Sequence, residues 1–214
     1  MEVEARRQVV TVYREVGRRG LNAGSSGNVS HRTRSGMIVT PSGCSADTLE
    51  SDALVAMTLA GDVKGVATPS SEWAMHAAIY LAYPLAQCIV HTHADACTAL
   101  ACLNEALPPF HYMVANFGGD DVRCAPYVTF GTPELARLAV AALAGRTACL
   151  LANHGMIVHA QNADRALTAA VVLETLCRQY LLARAAGAVR LLTGDEMRAA
   201  HERFRTYGQG SARG

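Results

Sequence analysis

The sequence predicts an α/β fold, a three-layer sandwich in which helices flank a central, mainly antiparallel or mixed β-sheet. Two observations carry this expectation. Short apolar runs of strand length are joined by tight turns, as in residues 54–66 and 147–160, which makes hairpins. Between them stand stretches with helical periodicity, at 2–19 and 162–187 among others. A doubly wound parallel sheet joins its strands through helices instead, so hairpins mixed with helices argue for the sandwich. The 214 residues suffice for one domain with a substantial core. Repeats, linkers and low-complexity segments are not evident, apart from a Gly-rich tail at 208–214 that reads as frayed and flexible.

In chain order, Val9, Val10, Val12, Tyr13 and Val16 recur at helical spacing, and Gly20 stops that helix. Residues 28–31 and 37–40 read as strands. Thr68-Pro69 offers an N-cap and a proline at the first helical position, predicting a helix from there to about Tyr83, closed by Pro84. The apolar run Gln87-Cys88-Ile89-Val90 is a strand ending in His91-Thr92-His93. Helices are expected over 94–103 and 132–144, the second again opened by Thr-Pro. Residues 147–160 form two strands hinged at Asn153-His154-Gly155, and a last helix runs from Thr193 to Phe204.

Half of the residues are hydrophobic and only 17% are charged, below the roughly 25% of ordinary soluble domains. Some apolar surface is therefore expected in a subunit interface, which predicts a homo-oligomer. A formal net charge of +1, with no basic cluster beyond Arg6-Arg7 and Arg18-Arg19, excludes an electrostatic footprint for nucleic acid. No uninterrupted apolar run approaches the ~20 residues that span a bilayer, so no membrane association is expected. The N-terminus lacks the pattern of a secretory signal. The seven cysteines are odd in number and lie mostly in apolar segments, which fits reduced thiols and a cytoplasmic location.

His91 and His93 lie two apart on a strand and so face the same side. His154, at the end of another strand, and Glu72, in Pro69-Ser70-Ser71-Glu72-Trp73, complete a candidate metal set. Three imidazoles with a carboxylate or water suit tetrahedral zinc, and displacing the fourth ligand opens the site for catalysis. Three small-residue loops, Gly24-Ser25-Ser26-Gly27-Asn28, Thr40-Pro41-Ser42-Gly43 and Thr68-Pro69-Ser70-Ser71, offer hydroxyls and backbone N–H groups suited to an anion, the third at a helix start. None has a nucleotide-binding pattern. Lys64, the only lysine, falls in the predicted hairpin, so a Schiff-base mechanism is not offered.

With these stretches in view, and with His111-Tyr112-Met113, residues 125–132 and residues 204–208, the chain resembles the class II aldolase/adducin family, most closely its zinc-dependent L-fuculose-1-phosphate aldolases. The resemblance implies His91, His93 and His154 as permanent zinc ligands and Glu72 as the ligand that becomes the acid/base. It implies a phosphate site of Gly27, Asn28, Ser42, Gly43, Ser70 and Ser71, with Phe130 also against the substrate. Tyr112 is implied as the group that protonates the aldehyde oxygen in condensation. Tyr207, with Phe204, is implied to close over a neighbouring subunit's substrate in a homotetramer whose active sites lie at interfaces. The implied reaction cleaves a ketose 1-phosphate to dihydroxyacetone phosphate and an aldehyde. L-fuculose, 5-deoxyribulose and 5-methylthioribulose 1-phosphates are all open as substrates. The rival readings are a pentulose-phosphate 4-epimerase, which typically has Asp at the positions of Glu72 and Tyr112, a dehydratase or decarboxylase, and a non-enzymatic adducin-like interaction module.

Overall fold

Eight strands form one sheet in a computed structural model that describes residues 2–206. In chain order the elements are α1 (Glu2–Arg18), β1 (Asn28–Thr33), β2 (Gly36–Val39), β3 (Val55–Met57), β4 (Val63–Lys64), α2 (Trp73–Ala82), β5 (Cys88–Thr92), α3 (Asp95–Cys102), β6 (Cys124–Ala125), α4 (Pro133–Ala142), β7 (Ala148–Leu151), β8 (Gly155–Ala160), α5 (Ala163–Ala186) and α6 (Gly194–Thr206). Their order across the sheet is β4-β3-β2-β1-β5-β8-β7-β6. Every pairing is antiparallel except the short β6–β7 edge pair, so the sheet is mixed, as the hairpin pattern predicts.

Both faces of the sheet are covered, and alternate residues of each central strand enter different cores. Cys88 and Val90 of β5, Leu150 of β7, and Met156 and Val158 of β8 pack with α1, α3 and α5. Their neighbours Ile89, Cys149, Leu151 and Ile157 pack with α2 and α4 on the other side. With both sides buried, the strands read as continuous apolar runs, without polar alternation. These are the three layers of the expected sandwich.

The helix ends follow from local chemistry. Gly20, at φ 68°, reverses the chain after α1. Thr132 caps α4 by accepting from Leu135 N at 3.3 Å, with Pro133 at the first helical position. Thr193 and Glu196 make reciprocal bonds at the start of α6, Glu196 N to Thr193 Oγ1 at 3.3 Å and Thr193 N to Glu196 Oε2 at 2.8 Å. α3 has no cap of its own. Glu174 of α5 supplies one instead, its two buried oxygens accepting from Ala96 N at 3.0 Å and Cys97 N at 2.9 Å. α5 has the length and composition of a bilayer-crossing helix, but it packs on β5, β8, α1 and α3. All seven cysteines are free thiols.

The sequence reading fails at the start of α2. Thr68 and Pro69 are extended, and Pro69 forms a bridge with Pro41 in which Ser42 N donates to Thr68 O at 3.0 Å and Ser70 N to Thr40 O at 3.1 Å. The helix starts at Trp73, after Glu72. A proline is equally suited to an extended edge and to a helix start, and the partner loop decides between them. The two-residue β6 and the 3-10 turn Tyr112–Phe117 carry no periodic signal and have no counterpart in that reading. The expected tail at 208–214 and Tyr207 lie outside the described residues.

Candidate metal centre and anion pocket

Strand register assembles the metal cluster. β5 lies between β1 and β8, and His91 pairs with Asn28 on one side and Ile157 on the other. His91 shares the side of Ile89, the face covered by α2, and Glu72 stands immediately before that helix. His154 sits in the turn from β7 to β8, where Asn153 adopts φ 53°, a left-handed conformation that asparagine tolerates. Gly155 then passes so close to β5 that a Cβ there would stand 2.3 Å from Thr92 O and 3.3 Å from His93 Cδ2. Asn22 Oδ1 accepts from His93 N at 3.2 Å and fixes the chain just past the strand.

Glu72, His91, His93 and His154 bring one ligand atom each within 4.8 Å of one another. Glu72 Oε2 lies 3.0 Å from His91 Nε2, and Oε1 lies 3.3 Å from His154 Nε2. The Nε2 atoms of His91 and His93 are 3.1 Å apart. His91 Nδ1 donates to Met156 O at 2.8 Å and Nε2 shares a proton with Glu72 Oε2, so a metal bound at Nε2 would displace that proton. Glu72 is buried, and its Oε1 has no hydrogen-bond partner although it is shielded from water. Unpaired buried oxygen and converging imidazole nitrogens make the donor set a divalent cation requires.

The charges agree with that use. Burial alone would raise the Glu72 carboxyl, but His91, His154 and the Asn28 amide outweigh it and hold it well below the usual carboxylate range. Burial, then the neighbouring His91, pushes His93 and His154 each down to about 4. His91 itself is raised, because Glu72 and the Met156 carbonyl outweigh the effect of its burial. Two of the three imidazoles are therefore neutral at pH 7 and ready to bind metal.

Beside the cluster opens a pocket of about 450 Å³ that includes Gly27, Asn28, Ser42, Gly43, Ser70 and Ser71 together with Glu72, His93 and His154. The three small-residue loops do converge, and Phe130 stands at the same pocket. The Pro41–Pro69 bridge consumes the backbone N–H groups of Ser42 and Ser70, so those two residues cannot offer them to an anion. Ser70 Oγ accepts from Glu72 N at 3.3 Å and ties the loop to the cluster. The Asn28 side chain is also engaged, Nδ2 donating to Glu72 Oε2 at 3.0 Å. Gly27, at φ 72°, leaves no space for a Cβ against the Asn22 side chain. Tyr127 and Asn153 join the pocket as well and were not singled out from the sequence. Tyr127 is an exposed ring, and exposure has no periodic signature.

Tyr112 does not line this pocket. It is half exposed on the 3-10 turn, stacked on His111 and on Phe204 of α6, and borders a separate cavity of about 1390 Å³.

The fold thus carries a donor set suited to a divalent cation beside a hydroxyl-lined pocket, and the comparisons with known proteins give its family. Residues 7–181 match the Class II Aldolase and Adducin N-terminal domain, and the chain belongs to that family. It is 44% identical over 206 residues to the 5-methylthioribulose-1-phosphate/5-deoxyribulose-1-phosphate aldolase of Rhodospirillum rubrum, covering 96% of this chain and 90% of that protein. It is 41% identical over 203 residues to the L-fuculose phosphate aldolase of Escherichia coli strain K12, covering 94% of each. A solved L-fuculose 1-phosphate aldolase superposes with a TM-score of 0.90 at 37% identity, over 94% of this chain and 96% of that one.

Proposed function

We propose that the chain is a zinc-dependent aldolase that reversibly cleaves a ketose 1-phosphate to dihydroxyacetone phosphate and an aldehyde. The observation that carries the reading is Glu72 Oε1, buried without a hydrogen-bond partner against converging imidazoles and next to a hydroxyl-lined pocket. His91, His93 and His154 hold the metal. A bound divalent cation supplies Lewis acidity toward the substrate's carbonyl and hydroxyl oxygens and so stabilises the charge left when the C–C bond breaks.

The remaining work falls to side chains. The hydroxyls of Ser42, Ser70 and Ser71 and the backbone at Gly27 and Gly43 hold the phosphate, and that binding positions the reacting carbons over the cluster. Glu72 moves the proton at C3 of dihydroxyacetone phosphate, taking it in condensation and returning it in cleavage. Phe130, with Tyr127, faces the aldehyde end. We assign the proton of the aldehyde oxygen to Tyr112; because it does not line the pocket of its own chain, the reading takes it from a neighbouring subunit. A homotetramer with sites at its interfaces accommodates this arrangement. The exposed Leu81, Leu85, Leu103 and Leu182 are the kind of apolar surface such contacts cover. We read the whole chain as one domain acting in the cytoplasm, where seven unpaired thiols persist.

The test is metal analysis of the purified protein, followed by assay of dihydroxyacetone phosphate release from L-fuculose, 5-deoxyribulose and 5-methylthioribulose 1-phosphates. Release from at least one, lost on chelation and restored by zinc, is expected. No release from any of the three overturns the activity, and turnover of an unphosphorylated ketose at the same kcat/KM overturns the phosphate site.

A further inference from the structure

Behind Asn28, on the side away from the imidazole cluster, runs a chain of buried polar side chains that the reaction above does not use. Glu72, His76 and Tyr80 recur every four residues from the start of α2, and Asn28 and Ser30 are two apart on β1. Four residues of helix rise about 6 Å and two residues of strand about 6.6 Å, so the two stripes stay in step. Asn28 meets Glu72 through Nδ2 at 3.0 Å and His76 Nε2 through Oδ1 at 2.6 Å. Ser30 Oγ meets His76 Nδ1 at 2.7 Å and the Tyr80 hydroxyl at 2.9 Å. Beyond it the Tyr80 hydroxyl lies 3.4 Å from Gln87 O, and the Arg32 guanidinium sits 4.7 Å over the Tyr80 ring.

The bonds of this chain have one self-consistent direction while Glu72 is a carboxylate. A carboxylate only accepts, so the Asn28 amide turns its NH₂ toward Glu72 and its oxygen toward His76. His76 Nε2 must then carry the hydrogen. A neutral imidazole has a single N–H, so Nδ1 accepts from the Ser30 hydroxyl, and the single Tyr80 hydrogen is shared between Ser30 Oγ at 2.9 Å and Gln87 O at 3.4 Å. Burial keeps His76 neutral, pushing it down to about 3. Reversing the amide would set two acceptor oxygens 3.0 Å apart. Ser30, His76 and Tyr80 are at most 1% exposed, in a layer otherwise packed with Met37, Val39, Ile79 and Ile89. Polar groups there are costly unless every one is satisfied.

We propose that His76, Ser30 and Tyr80 are positioning residues, which lock the Asn28 amide so that it pins Glu72 Oε2 beside His91 and leaves Oε1 directed toward His154. The inference rests on the reading of Glu72 as the proton-transfer group. Its kinetic consequence is confined to the proton-transfer step, because none of the three residues lines the substrate pocket.

Two measurements test it. Long-range ¹H–¹⁵N spectra of the metal-free wild-type protein should show His76 as the neutral Nε2–H tautomer, and Ser30→Ala should mix the two tautomers. An Nδ1–H or charged His76 in the wild type overturns the proposal whatever the enzyme does. In the zinc-loaded enzyme, His76→Gln keeps an N–H donor at the Nε2 position and should keep kcat near the wild-type value. His76→Asn places its amide at the level of Nδ1 and leaves Asn28 Oδ1 unpaired. It should lower kcat about 10- to 100-fold, with KM and metal content unchanged. Equal kcat in the two variants, or losses of KM and metal in parallel with kcat, overturns the proposal. Should position 76 not tolerate change, Ser30→Ala and Tyr80→Phe delete one oxygen each, and kcat should fall more for Ser30→Ala; no fall in either overturns it. If the wild type releases no dihydroxyacetone phosphate, the proposed activity fails, and the tautomer spectra still decide the direction of the chain.

Discussion

The metal cluster and the patch around Tyr112, to which the proposed reaction assigns its two proton-handling groups, are built in opposite ways. Glu72 and His91 are buried, fixed by the register of β1, β5 and β8 and by a helix start. Tyr112 stands on a short 3-10 turn, more than half exposed, held by ring stacking on His111 and Phe204 and bordered by a large cavity. The first region is complete within one chain. The second is a surface patch away from the pocket of its own chain. The pre-organised, low-dielectric groups thus belong to the fold itself, whereas the proposed role of Tyr112 requires assembly.

The sharpest way to break the first half of this contrast is His93→Ala. It should empty the metal site and abolish cleavage, which metal analysis and a dihydroxyacetone phosphate assay would read together; full zinc with full activity would discard the ligand set. Next is Glu72→Gln, which keeps an oxygen ligand but cannot take a proton. A loss of ~10²–10⁴-fold in rate with most of the metal retained is expected. Exchange of the C3 proton of dihydroxyacetone phosphate with deuterated water should fall in step, and wild-type exchange would move the base elsewhere.

The second half of the contrast is tested by Tyr112→Phe, expected to cost about 10²-fold in the cleavage rate. Mixing subunits that carry Tyr112→Phe with subunits that carry Glu72→Gln should restore part of the activity, because some sites then have both groups intact. Mixtures as inactive as their parents, despite proven subunit exchange, would return Tyr112 to its own chain.

Smaller effects sharpen how the buried region is held. Gly155→Ala drives a methyl group against Thr92 O and should destabilise the protein by about 1–3 kcal/mol, read as a lower urea midpoint with an unchanged slope. An acid titration gives the smallest effect. His76, at about 3 in the folded chain, binds its proton more readily when unfolded, near 6.5. Its contribution is therefore fully present above pH 6.5 and is lost as pH falls toward 3, approaching about 1.4 kcal/mol per pH unit below pH 6. His76→Gln removes that titration, so between pH 7 and 5 its Tm should fall less than that of the wild type; parallel curves would show that His76 charges in the folded state.

Sequence reading succeeded where the signal is local. The Thr-Pro start of α4 and the Asn153-His154-Gly155 hinge act within a few residues and hold in the structure; His91 ends up on β5 with His93 one residue past the end of that strand, and their Nε2 atoms still meet at 3.1 Å. The same Thr-Pro signal misled at Thr68-Pro69, because the bridge to Pro41 comes from a loop distant in sequence. The stripe of His76 and Tyr80 against Asn28 and Ser30 stayed hidden for a related reason. His76, four residues after Glu72 on the same helix, reads from the sequence as a core residue or a support of the metal site, but its partners cannot be named until the strand opposite it is known. Ser42 and Ser70 showed their hydroxyls in the sequence, but not that their N–H groups are spent on the carbonyls of Thr68 and Thr40.

The sheet order of β1-β5-β8, with Glu72 arriving from the helix layer, has a consequence for how the chain reaches its native state. No two adjacent segments of sequence hold the complete ligand set, which exists only after strands far apart in the chain have paired and α2 has docked. The unfolded polypeptide offers a metal ion at most the local pair His91 and His93, half of the ligand set, so the ion would template early collapse only weakly. It captures the finished protein, slowing escape from the native basin far more than it speeds arrival there.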